Sequence, residues 1–315
     1  MADVKKIATR DGYGAALVEL GKERDDFIVM DADLAEATKT GAFKKAFPER
    51  FYDCGIAEGN MMSIAAGIAA TGKKVFASSF AMFAAGRAFE QIRNSIGYPH
   101  LNVVIGATHA GISVGEDGAT HQCCEDIGIM RTIPGMTIIN PADYTEAFKA
   151  VKAAVNHDGP VYMRFGRLAV PVVFDDDYTF EIGKGVELKE GTDVTIIATG
   201  LMVAEALEAY EILKNEGISA RIINMATIKP LDTEIVLKAA KETGVIVTAE
   251  EHSVIGGLGS AVSEYLSENY PVPVLKLGVY DTFGMSGPAN ELLDKFGLRA
   301  KDIAEKARKA VALKK

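Results

Sequence analysis

The apolar run LNVVI at residues 101–105 gives way abruptly to GATHAGISVGEDGATHQ, residues 106–122. A continuous apolar run bounded by glycine reads as a strand buried on both faces, the kind that parallel sheets use. Open sheets of that kind bind ligands beyond the carboxyl ends of their strands, which is where the polar segment falls. It carries His109, Glu116, Asp117 and His121 among glycines at 106, 111, 115 and 118. Glycine lets a backbone turn tightly and come close to a ligand. The two histidines, twelve residues apart, offer proton donors or acceptors near neutral pH. The same composition also describes a plain surface loop, and either histidine alone reads equally well as a satisfied structural one.

The rest of the chain alternates strand-like and helix-like patterns, predicting an α/β fold of two doubly wound domains. Asp11–Lys22 has helical spacing, and Phe27–Met30 reads as a short strand ending in Asp31 and Asp33. Arg10 stands at the helix start, where a positive charge opposes the dipole, so it serves either solvent or an anionic ligand. Phe51–Ile56 predicts a strand running into a helix over 57–72 with almost no charge. Glu58 opens that helix, either as an ordinary N-terminal partner of the dipole or as a desolvated carboxyl able to share a proton. Val75–Ala77 predicts a strand and 78–96 a helix. Phe80 and Phe83 then fall on one helical face, as core or as an aromatic slot. Further helices are expected around Glu125–Thr132 and after Pro141, with strands at Met136–Asn140 and Val161–Phe165.

The segment 171–192 is acidic, turn-rich and without a helical pattern, and it reads as a domain boundary. Beyond it come strands at Val194–Thr199, Ala220–Asn224 and Val245–Ala249, and helices at Val203–Glu216 and Asp232–Glu242. IGGLGSAV at 255–262 is half of a dinucleotide fingerprint without its third glycine, and helix packing explains it better. Lys301–Lys315 reads as an exposed basic helical tail.

Composition narrows the function. Of 315 residues, 48% are hydrophobic, and the net charge is −9 with no basic run to track a phosphate backbone, so nucleic acid is not an expected partner. No apolar stretch approaches the roughly 20 residues that span a bilayer, and the first residues lack a signal-peptide core. A cytoplasmic location is expected. Cys54, Cys123 and Cys124 are three thiols without CxxC spacing, so neither a disulfide nor a zinc site is expected.

With these segments in order, DCGIAEGN, SSFAMFAAGRAFEQIR, GATHAGISVGEDGATHQ, NPAD and RFGRLAVP resemble the pyrimidine-binding domain of transketolase. Residues 190–315 resemble that family's C-terminal domain. The resemblance implies a mainly parallel pyrimidine-binding domain at 1–172, a linker at 173–191 and a smaller transketolase C-terminal-type α/β domain at 192–315. The Gly-Asp-Gly segment and downstream Asn of a diphosphate-binding domain have no counterpart here, and GEDG at 115–118 belongs to the loop above. The chain thus resembles the C-terminal half of a split transketolase. That implies ketol transfer between sugar phosphates with thiamine diphosphate and Mg²⁺, the metal held mainly by an N-terminal partner subunit. Self-association into at least a heterotetramer is implied as well.

Residue by residue, the resemblance implies that Glu58 hydrogen-bonds the cofactor's aminopyrimidine and that Phe80 and Phe83 enclose that ring, with Asp33 nearby. Asp117 and His121 match sugar-contacting residues, His121 near the reacting carbons. Arg10, His109 and Arg167 match the group around the sugar phosphate. Ala77 stands where the pocket often has another aromatic, and Ala37–Thr38 where the family often has a serine. The related possibilities are a fragment of 1-deoxyxylulose-5-phosphate synthase, a beta subunit of a 2-oxo acid dehydrogenase, and a non-catalytic assembly subunit.

Overall fold

Alternation along the first buried runs sends their side chains to two separate cores. The computed structural model describes residues 5–314. The strands of its first half are β1 (Lys6–Ala8), β2 (Phe27–Asp31), β3 (Phe51–Asp53), β4 (Lys74–Phe80), β5 (Val103–Thr108), β6 (Thr137–Ile139), β7 (Val161–Arg164) and β8 (Ala169–Pro171). Val75, Ala77, Val103 and Ile105 pack on one face with the helix Glu58–Ala69. Phe76 and Val104 pack on the other, against the helices Thr9–Glu23 and Tyr144–Ala154. Both faces are buried, which is why these strands read as continuous apolar runs.

The second half contributes β9 (Val186–Lys189), β10 (Val194–Ala198), β11 (Ala220–Asn224), β12 (Thr227–Lys229), β13 (Ile246–Ser253) and β14 (Val274–Val279). The seven-stranded sheet has the order β12-β6-β7-β5-β4-β2-β3, parallel except at β12. From β2 the chain goes outward to β3 and then returns to β4 on the opposite side, so a crevice opens at the carboxyl ends of β2 and β4. The five-stranded sheet, β14-β13-β10-β11-β9, is parallel except at β9. One buried cluster runs through both halves, joining Met61 and Ile105 to Ile197, Ile223 and Leu258.

Several expectations change. The segment 171–192 carries no helix but holds Pro171 at the end of β8 and the whole of β9. It is also tied down, because Asp143 Oδ2 accepts from the backbone of Val173 and Phe174, and Glu146 accepts from the Tyr178 hydroxyl. The strand expected at Val75–Ala77 continues to Phe80, and the helical stretch after it is wound wide, with π turns at Met82–Arg87 and Ile92–Gly97. Ala77 is therefore a buried strand residue paired with Ile105, not one helical turn before Phe80. Gly106 belongs to β5, while Gly111, Gly115 and Gly118 take positive φ in the loop.

The glycines of IGGLGSAV seat the chain's own carboxylate. Glu250 accepts from the backbone of Leu258 and Gly259 at 2.7 and 2.8 Å, filling the helix N-terminus that a phosphate would need. No helix among the described residues is long and apolar enough to cross a membrane.

The basic tail is not a solvated appendage. Ala300–Ala312 is a helix whose Ala300, Ile303, Ala304, Ala307 and Ala310 lie buried against the second sheet. Its lysines occupy the opposite face, and that excess of charge disguised the stripe. Ile303→Ala should lower unfolding stability by about 2–4 kcal/mol in urea titrations. A solvated tail would change by less than about 0.5 kcal/mol.

Candidate active site

At the crevice, Arg10 reaches from the first turn of its helix to the loop after β2. Its Nη1 donates to the Ala37 carbonyl at 2.9 Å and lies 3.0 Å from His109 Nε2. A guanidinium only donates, so His109 Nε2 accepts and its proton sits on Nδ1, which donates to Thr108 Oγ1 at 3.0 Å. Burial, helped by Arg10, Arg167 and His121, pushes the His109 pKa down to about 3. His109 is thus a neutral imidazole with a fixed tautomer, held at a positive φ of 56°.

The loop that presents Ala37 is shaped from beneath by Asp31. This fully buried carboxyl accepts from Leu34 N at 2.7 Å, Thr38 Oγ1 at 2.7 Å and Thr40 Oγ1 at 2.8 Å. Burial raises its pKa to about 6 despite those bonds. The Thr38 hydroxyl is therefore committed to Asp31, and position 37 contributes a backbone carbonyl. On the crevice floor the Tyr13 hydroxyl and Ser78 Oγ are 2.6 Å apart, in space that a side chain at Gly106 would fill.

A column of rings leads outward from His109 toward the surface. His109 stacks on Phe80 with centroids 3.8 Å apart, and Phe80 on Phe83 at 5.8 Å with 18° between planes. His121 meets Phe83 edge-on at 5.2 Å. Phe80 and Phe83 stack as expected of a pair, but not along one helical face: Phe80 ends β4 and Phe83 lies in the following π turn. Arg87 closes the column, its guanidinium 4.1 Å from the Phe83 centroid and 3.2 Å from Glu58 Oε1. Glu58 is 4% exposed at the first position of its helix, with Arg87 as its side-chain partner.

Arg167 enters from the chain after β7, donating to the Val114 carbonyl and lying 3.7 Å from Asp117 Oδ2 and 3.4 Å from Glu116 Oε2. Arg10, His109, Arg167, Asp117, His121, Phe80, Phe83 and Glu58 thus form one linked group at the crevice. Asp33 stands apart. It is exposed, its backbone N–H donates to Asp53 Oδ1, and it lines a different cleft with Lys44 and Lys45.

Arg87 and Asp31 escaped sequence reasoning. Arg87 lies four residues beyond Phe83, inside a stretch whose aromatics alone drew notice, and Asp31 read merely as a strand end. The residues suit a planar, hydrogen-bonding ring beside an anion: stacked aromatics, a buried carboxyl with one half-exposed partner, and two guanidiniums. Among the described residues no group of three His, Cys, Asp or Glu side chains can hold a metal ion.

Two wound sheets with titratable residues gathered at a topological switch point define an α/β protein of the ligand-binding or catalytic kind. The chain belongs to the transketolase family and corresponds to its C-terminal half. Residues 5–172 match the transketolase pyrimidine binding domain and residues 183–303 the transketolase C-terminal domain. A putative transketolase C-terminal section from Methanocaldococcus jannaschii is 53% identical, over 94% of each chain. A 6-deoxy-6-sulfo-D-fructose transketolase subunit from Clostridium sp. is 46% identical, over 95% of this chain and 92% of the relative. A subunit of an apulose-4-phosphate transketolase from Phocaeicola vulgatus is 42% identical, over 96% of each. Among solved structures, a split gene transketolase described as an inactive beta4 tetramer superposes with a TM-score of 0.91 at 55% identity, covering 99% of this chain and 100% of that one. Transketolase from Campylobacter jejuni superposes at 0.81 with 25% identity, over 96% of this chain but 46% of its own.

The neutral state of His109 is directly measurable. In long-range imidazole NMR its Nδ1–H tautomer should persist from pH 8 to pH 5, because the pKa of about 3 lies below that range. Arg10→Met should move the pKa upward by removing a neighbouring positive charge. A midpoint near the ordinary value of about 6.5 in the unsubstituted chain would contradict the geometry.

Proposed function

We propose that this chain is the aminopyrimidine-binding subunit of a thiamine diphosphate-dependent transketolase moving a two-carbon ketol unit from a ketose phosphate to an aldose phosphate. One observation carries the reading: the buried Glu58 carboxyl is linked through Arg87 and the aromatic column to His109 and Arg10. The division of the chain into 1–172, 173–191 and 192–315 belongs to the same proposal. The chain's donor set fits the pyrimidine half of the cofactor, and in this reading an N-terminal partner subunit supplies the diphosphate and Mg²⁺ site. Two copies of each subunit make the working assembly, and the inactive state of the related tetramer supports the need for a partner.

When bound, thiamine diphosphate supplies the carbanion stabilisation that such group transfer requires. The chain's residues hold and orient. Phe80 and Phe83 would stack the pyrimidine. Glu58 would hold a proton between its carboxyl and a ring nitrogen, which requires Arg87 to give up part of its present pairing. A carboxyl kept from bulk water is suited to such sharing. His121 would exchange protons with the reacting oxygens, and Asp117 would accept from sugar hydroxyls. Arg10 and Arg167 would bind the sugar's phosphate, with neutral His109 as a hydrogen-bonding neighbour rather than a third charge. Asp33 remains a candidate near the cofactor only in the assembled complex, because within this chain it faces another cleft.

The test is ketol transfer from xylulose 5-phosphate to ribose 5-phosphate with thiamine diphosphate and Mg²⁺, comparing the chain alone with the chain plus its N-terminal partner. Activity is expected only in the mixture. Within it, Glu58→Ala should reduce turnover by at least about 10²-fold, as loss of an acid–base group does. His121→Ala should lower kcat while leaving cofactor affinity unchanged. Undiminished turnover in Glu58→Ala would overturn the catalytic reading. Turnover of pyruvate but not of xylulose 5-phosphate would point to the 2-oxo acid or deoxyxylulose-type alternative.

A further inference from the structure

We propose that Glu251, contributed by the second sheet, is a positioning residue for the loop that carries His109, Asp117 and His121; this rests on the site reading above. β13 continues past Ala249 into Glu250, Glu251 and His252, all of them buried. The strand end passes directly beneath the loop. Glu251 Oε1 accepts from the backbone N–H of Ser113 at 2.5 Å, and Ser113 lies between His109 and Asp117 in the turn Ile112–Asp117.

The fit around the carboxyl is close. A Cβ at Gly111 would come within 2.4 Å of the Glu251 carboxyl carbon, and Gly111 has a φ of +81°. Glycine is therefore required there both for backbone conformation and to let the carboxyl lie flush against the turn. A carboxyl oxygen that accepts from a backbone N–H in a dry interior makes a directional bond with no water to compete for it.

The main chain of β13 holds the far end of the same loop. Arg164 Nη2 donates to the Glu251 carbonyl at 2.9 Å and to the Cys123 carbonyl at 3.2 Å, and Ser253 N donates to the Cys124 carbonyl at 2.7 Å. Gln122 Nε2 ties the loop to itself through the carbonyls of Ile112 and Gly115. The far end is thus held by backbone groups that survive substitution at position 251. The near end, which sets the separation of His109 from Asp117, is held by side chains: Glu251 on Ser113, Gln122 on Ile112 and Gly115, and Arg167 on Val114, with Glu251 the one that comes from the second sheet. Glu251 touches no part of the crevice itself and acts through Ser113.

The experiment combines steady-state kinetics of the reconstituted complex with hydrogen exchange of the chain alone. Glu251→Ala should lower kcat/KM for the sugar phosphates by about 10- to 100-fold, the scale of a small misplacement of reacting groups. Cofactor affinity should be unchanged. The peptide covering 109–122 should exchange about tenfold faster, as expected for loss of one hydrogen bond of about 1.4 kcal/mol. Glu251→Gln keeps an acceptor of the same length and should restore both readouts. Glu251→Asp keeps a carboxyl but withdraws the acceptor, so it should behave like the alanine variant, and it serves if that variant does not fold.

Unchanged sugar kinetics and loop exchange in Glu251→Asp would overturn the proposal. So would a parallel fall in cofactor affinity and thermal stability with no change confined to the loop. Absence of ketol transfer in the unsubstituted complex would instead count against the site reading, while loop exchange in the chain alone would still test the clasp.

Discussion

Everything at the crevice rests on a charge pair that never meets solvent. Arg164, 3% exposed at the end of β7, pairs with Asp126, 0% exposed, at 2.9 Å, and Asp126 also accepts from the Tyr162 hydroxyl at 2.8 Å. The Nη2 of Arg164 donates to the carbonyls of Cys123 and Glu251. One guanidinium thereby joins the first sheet, the glycine-rich loop and the second sheet. Removing one member of such a pair costs about 3–5 kcal/mol, because the other is left charged and dry. A hydrophobic pair of equal volume could supply comparable stability but could not direct several partners at once. Its contribution is register between parts of the chain that are distant in sequence.

From that support the crevice takes its electrical character. A chain with a net charge of −9 gathers Arg10 and Arg167 around a histidine kept neutral by burial. The carboxylates are distributed by depth. Asp117 stays exposed beside Arg167, Glu58 is buried with a single guanidinium, and Asp31 is sealed below the loop among hydroxyls. Depth and partner, rather than residue type, separate an exposed carboxyl beside an arginine, a buried one with a single partner and a sealed structural anchor. The Arg87–Glu58 pair also explains how a carboxyl can wait in a largely apolar wall at little cost: its partner keeps half its surface in water.

Much of this was legible in the chain itself. Val75, Val103 and Ile105 announced buried parallel strands because both faces of the sheet are covered, and the polar run after Ile105 announced the edge at which ligands collect. The errors share one cause, which is that local periodicity cannot see what lies across the space. Phe80 followed small and apolar residues compatible with a helix, yet pairing of β4 with β5 extended the strand to include it. The stripe Ile303, Ala304, Ala307 and Ala310 was masked by interspersed lysines until the second sheet supplied a surface to bury it. Asp33 lies two residues beyond the end of β2, and only the fold shows that its backbone N–H meets Asp53 and that it lines a cleft with Lys44 and Lys45.

Residue type, spacing and short-range geometry were enough to specify the two wound units, the glycine-and-histidine loop and the family. Which charges became neighbours was settled only when the chain folded. The tautomer of His109 is set by an arginine 99 positions away, and Ser113 is held by a glutamate 138 positions away. The first sheet takes β12 as its edge from beyond the first strands of the second sheet. Such relations follow from how the chain crosses between sheets, and burial then strengthens each of them by removing the water that would otherwise compete.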